Sequence, residues 1–146
     1  MKRLSALTAA LLSALLITTS SAATNNGDRI LGEYRAVKDG RVTTVRFSKS
    51  GENRYKAQVV GIRTEKESNS CKDSHSTEIN PNQIVIIESV SYNSEEDVWD
   101  DGQIYDPIKG DIYRVVLDFK DETTLRVRGY LGPFSKSLYW EKINKQ

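Results

Sequence analysis

From Arg29 to Ile143 apolar and polar residues alternate in short runs, cut at roughly even intervals by clusters rich in Gly, Asn, Asp and Ser. A period of two is the pattern of strands buried on one face. A first strand is expected from Arg29 to Val37, with Gly32 and Tyr34 near its start, after a short disordered lead at Thr24 to Asp28. Asp39-Gly40 then reads as a two-residue hairpin turn. Thr43, Val45 and Phe47 alternate with Thr44 and Arg46 in a second strand. Ser50 to Asn53 turns, and Tyr55, Ala57, Val59 and Gly61 share one face of a third. Gln83 to Val90 carries the run Ile84-Val85-Ile86-Ile87, which is short and β-branched, so a buried strand is expected there in preference to a helix.

The second half continues the pattern. Asn93 to Asp97 is an acidic turn leading to Trp99, and Gly102 to Tyr105 is expected to pair with Ile112 to Phe119. Between them Asp106 can accept from backbone amides ahead of it, Pro107 presets a turn dihedral, and Gly110 can take a positive φ. Leu125, Val127 and Gly129 face inward on the next strand, with Arg126, Arg128 and Tyr130 opposite. Gly132-Pro133 breaks the chain, and Leu138 shares a face with Trp140 on the last strand. About eight strands joined by hairpins, without an amphipathic helix of useful length, predict an all-β fold. The expected form is a small antiparallel up-and-down β-barrel, whose closure removes exposed sheet edges.

Two stretches stand outside this pattern. Met1-Lys2-Arg3, the apolar run Leu4 to Ile17 and the small residues Ser20 to Ala23 form the tripartite order of a secretory signal peptide, residues 1–23. That apolar run is shorter than the roughly 20 residues needed to span a bilayer. No later run is apolar enough to span, so an exported protein, periplasmic or secreted, is expected. Residues 24–146 would then be one barrel domain. The second stretch, a polar loop at about 63–82, has no period and holds Cys71 and His75, with room for a short helical turn between Glu65 and Lys72.

Charge and cysteine narrow the classes. Without Lys2 and Arg3 the chain carries 19 basic and 20 acidic residues, which gives no basic stripe for nucleic acid. Cys71 is the sole cysteine, so it forms no internal disulfide and is expected to be buried, modified or available for an intermolecular bridge that would make a homodimer.

One resemblance adds to this reading. Trp99, the Gly102-Gln103-Ile104-Tyr105-Asp106-Pro107 turn, Gly110-Asp111-Ile112-Tyr113, the strand Leu125-Arg126-Val127-Arg128-Gly129-Tyr130 and the closing Trp140 together resemble the bacterial domain-of-unknown-function family 2147. The likeness runs from Gln83 to Lys142 and is loose over the first three strands. It implies a calycin-like, that is lipocalin-like, barrel. Gly32-x-Tyr34 is similar to the glycine-x-tryptophan opening of such barrels, with tyrosine in the aromatic place. Lys142 stands where the family more usually has arginine, which leaves the contact of that terminal basic residue open.

Reactive groups are sparse. Cys71 and His75 are too few for a zinc site, and no strand holds them as a nucleophile and base. Glu95, Glu96, Asp97, Asp100 and Asp101 fit no calcium loop and are expected on a solvated turn. No catalytic residue, metal or cofactor is therefore expected. Arg126 is expected to pair with a carboxylate such as Asp118. Trp99, Tyr105, Tyr113, Arg128, Tyr130 and Trp140 are the candidate ligand-binding residues, and Gly129 leaves space beside Tyr113 and Trp140. Inward aromatics either fill a small barrel or line a pocket in it. The expected function is non-enzymatic binding of a small apolar or amphipathic, lipid-like ligand. The alternative is a packed barrel serving as a cell-envelope structural or interaction module, and carboxylate enzymology ranks last.

Overall fold

The computed structural model describes residues 25–64 and 84–144. The expected signal peptide and nearly all of the polar loop, with Cys71 and His75, lie outside the described residues. A 3-10 turn at Asn26–Ile30 precedes eight strands: β1 Gly32–Lys38, β2 Arg41–Gly51, β3 Arg54–Thr64, β4 Val85–Asn93, β5 Val98–Asp106, β6 Asp111–Phe119, β7 Thr124–Leu131 and β8 Phe134–Lys142. Each strand pairs antiparallel with the next, and β1 closes on β8 through Tyr34–Lys142, Arg35–Glu141 and Ala36–Trp140. The eight-strand up-and-down barrel read from the alternation is the fold observed.

Inward parity follows the sequence pattern. Val45 and Phe47 on β2, Tyr55, Ala57 and Val59 on β3, Val115 and Leu117 on β6, and Leu125 and Val127 on β7 are all buried. The turns use the expected chemistry. Asp39 (φ 52°) and Gly40 (φ 72°) both take the left-handed conformation that a two-residue hairpin needs. Asp106 accepts from the amides of Ile108 at 3.0 Å and Lys109 at 3.4 Å, and Gly110 has φ 75°.

Two expectations need correcting. Asp100 and Asp101 are not in the β4–β5 turn but inside β5, where the register with β6 shifts between Trp99 and Gly102. Asp101 has φ 56°, so an extra residue is absorbed as a bulge. Gly102 is there because of close approach: a Cβ would lie 2.1 Å from the Ser89 carbonyl oxygen. The second correction concerns the chain start. Asn26–Asp28 is not a loose lead, and Arg29 and Ile30 do not open β1; these residues form the 3-10 turn that plugs one end of the barrel.

That plug is held from every side. Ile30 is fully buried, and its carbonyl accepts from the Tyr34 hydroxyl at 2.9 Å. The Trp99 indole donates to the Gly27 carbonyl at 3.2 Å, and the Tyr55 hydroxyl donates to Asp28 at 2.7 Å. Arg29 pairs with Asp97 while its guanidinium lies 5.1 Å from the Trp99 ring and 5.3 Å from Phe119. Lys142 does make the terminal basic contact: its ammonium donates to the Arg29 carbonyl at 2.7 Å and sits 5.8 Å from the Tyr34 ring. Burial pulls the Lys142 pKa below its ordinary value. One half of the barrel is therefore filled with aromatic side chains and closed.

Candidate functional site

The other half is hollow. A cavity of about 650 Å³ occupies the barrel interior, lined from all eight strands. Its inner walls are the buried Val45, Val59, Ile86, Val127 and Trp140, with Ile62, Ile104 and Leu138 nearer the mouth. The room arises because three inward positions carry little side chain: Ala36, Thr43 and Gly129. The plugged half instead places Tyr34, Phe47, Tyr55 and Trp99 at the inward positions. Eight strands leave space for one small ligand only where such bulk is missing.

Pairing at two seams is short. β1 meets β8 only at Tyr34–Ala36, and β4 pairs with β5 through Ser91–Asn93 and Val98–Asp100. At the opposite end the chain offers apolar side chains to solvent. Val37, Tyr105, Ile108, Leu131 and Phe134 all line the cavity and are all exposed, Phe134 at 76%.

The mouth is basic. Among the described residues, Lys38, Arg41, Arg63, Lys109 and Lys136 line it together with a single carboxylate, Asp106. Lys38 Nζ reaches Asp106 Oδ2 at 3.0 Å. Burial by itself would raise the Asp106 pKa, but hydrogen bonds from Lys38 and from the Ile108 and Lys109 amides outweigh it and hold the carboxyl below its ordinary value. Tyr113 donates to Asp111 at 3.0 Å, and that carboxylate raises the phenol pKa.

The structure separates the six aromatic and arginine candidates into two groups. Tyr105, Tyr113 and Trp140 line the cavity, as does Gly129, against whose backbone Tyr113 lies. Trp99, Arg128 and Tyr130 do not. Trp99 is sealed in the plugged half, since its strand puts it near Gly27. Arg128 and Tyr130 fall on the outer face by strand parity, where Arg128 donates to the Tyr130 hydroxyl at 3.1 Å and Arg114 stacks on the same ring. Arg126 pairs with Asp118 as expected. Lys38, Arg41 and Lys136 were not singled out from sequence. Their signal was parity: each continues an inward register, Lys38 after Ala36, Arg41 before Thr43 and Lys136 before Leu138. Among the described residues no group of three or more His, Cys, Asp or Glu side chains gathers to hold a metal ion.

Comparisons with known proteins agree with this geometry. A family model described as an uncharacterized protein conserved in bacteria (DUF2147) matches residues 32–142. Among solved structures, a similar one is protein HP1028 from the human pathogen Helicobacter pylori, described as belonging to the lipocalin family. It is 13% identical, with a TM-score of 0.57, over 79% of this chain and 83% of that one. At that identity the likeness is one of fold. None of the curated proteins matches the sequence.

Proposed function

This chain belongs to the bacterial family DUF2147, and from that premise we propose that it is an exported, non-enzymatic barrel that binds a small apolar or amphipathic ligand in its open half. The observation that carries this reading is the apolar cavity of about 650 Å³ inside the barrel. Pockets for small molecules are typically concave, mostly apolar and about this size. Burying a hydrocarbon chain there releases about 25 cal/mol for each Å² of apolar surface removed from water. The lipocalin-family neighbour supports the same reading at the level of fold. Export rests on the basic, apolar and small-residue order of residues 1–23.

Native mass spectrometry of the gently purified mature protein tests the proposal. A bound species of small mass, or a heat-stability gain with single-chain lipids, is expected. A bare protein with no gain across a panel of such lipids would favour an interaction module working through its surface instead.

A further inference from the structure

The charge at the cavity mouth says more about the occupant than the apolar walls do. Among the described residues five cations and one carboxylate line the cavity, and the cations sit at its outer end while the buried lining is hydrocarbon. Lys38 and Arg41 are direct cross-strand partners on either side of the Asp39-Gly40 turn. Like charges placed opposite each other on a strand pair are destabilising unless something answers them. Asp106 answers Lys38. Arg41 and Lys136 take no part in the ion pairs found among the described residues. Both are exposed, both continue inward registers, and both line the cavity.

We propose that the ligand is a single-chain amphiphile with an anionic head, its chain against the buried valines and Leu138 and its head at the level of Arg41 and Lys136. This deepens the binding proposal above and rests on it. A neutral apolar molecule would give Arg41 and Lys136 no partner beyond those among the described residues, and a cationic amphiphile would add to their charge. A carboxylate or a phosphate head instead gains charge-assisted hydrogen bonds from guanidinium and ammonium, the stronger class of hydrogen bond. Apolar depth below a basic rim also fixes polarity: chain inward, head outward.

Titration calorimetry with four ligands of one chain length tests this: laurate, dodecyl phosphate, dodecanol and dodecylamine. Both anions are expected to bind at least about tenfold more tightly than dodecanol, a factor that corresponds to about 1.4 kcal/mol. Dodecylamine is expected to bind weakest. The relative affinities of laurate and dodecyl phosphate tell whether a fatty carboxylate or a phosphate head is preferred. The double variant Arg41→Gln, Lys136→Gln should abolish the preference, bringing both anions to the level at which that variant binds dodecanol. Equal affinity for laurate, dodecanol and dodecylamine would overturn the head-group inference and leave the cavity reading standing. An anion preference that survives in the double variant would overturn it too. Binding of none of the four would overturn both.

Discussion

Lys38 and Asp106 meet at 3.0 Å across the open end of the barrel, although β1 and β5, which carry them, stand four strands apart in either direction around the ring. The pair therefore ties opposite walls together over the cavity. Asp106 also anchors the β5–β6 turn through the Ile108 and Lys109 amides, so the tie and the turn share one carboxylate. A ligand passing the mouth has to displace this bridge or slip beside it.

Lys38→Met removes the tie without touching the turn, and Asp106→Asn removes the charge while keeping an oxygen for the two amides. Each is expected to change unfolding free energy by no more than about 1 kcal/mol, as for other partly exposed pairs. Each should speed dissociation of a bound anionic apolar dye, anilinonaphthalene sulfonate, several-fold in stopped-flow displacement. Unchanged dissociation in both variants would show that the bridge does not limit passage.

Gly129 offers a way to fill the cavity without breaking the fold. A Cβ there would meet Tyr113 Cβ at 3.6 Å, an ordinary contact. Gly129→Phe should keep a cooperative thermal transition near the parent's and lose ligand binding, because the ring points into the space the chain would occupy. Gly129→Ala should be stabilising or neutral, by up to about 1 kcal/mol, since a strand glycine gives up more backbone freedom on folding.

Gly102 is the opposite case. A methyl group 2.1 Å from the Ser89 oxygen and 2.6 Å from Val90 Cγ1 has no room without moving β4. Gly102→Ala should lower stability by more than about 2 kcal/mol in urea unfolding, within the range of severe core lesions. A loss under about 0.5 kcal/mol would mean that the β5 bulge relaxes freely.

Acid should weaken the plug. Hydrogen bonds from Lys49 and then Tyr55 lower the Asp28 pKa from 3.8, and those from Arg29 and then Tyr92 lower that of Asp97. A carboxyl whose folded pKa lies below its unfolded value contributes stability that is complete above the unfolded value. That stability is lost as pH falls through the folded one. The melting temperature should therefore be flat down to about pH 4 and decline below it. The double variant Asp28→Asn, Asp97→Asn should show a smaller decline over that window, measured by circular dichroism.

How much of this was legible in the sequence follows from what each feature depends on. Strand parity depends on local alternation, so the eight strands, the inward face of β7 and the Asp106 turn could be read directly. The Asp101 bulge could not, because Asp-Asp-Gly has the composition of a turn and its placement inside β5 is decided by the Gly102 approach to β4. The plug was missed because Asn26 to Ile30 is polar apart from one residue, and its stability comes from Tyr34, Tyr55 and Trp99 on distant strands. That same tertiary placement took Trp99 out of the cavity. Conversely Lys38, Arg41 and Lys136 stand near hairpin ends with nothing local to link them, and only barrel closure gathers them around one opening.

The two tryptophans give the most direct test, because one lies in each half of the barrel: Trp140 lines the cavity and Trp99 is sealed behind the plug. Nitrogen-15 correlation spectra recorded during titration with laurate report both indole groups and the backbone amides at once. The expected result is a saturable change at one equivalent that moves the Trp140 indole and the amides of Val45, Ile86, Val127 and Leu138, with the Trp99 indole unmoved. A titration with no saturable shift, or one that moves Trp99 and the outer-face Tyr130 while Trp140 stays still, would contradict a ligand in the open half of the barrel.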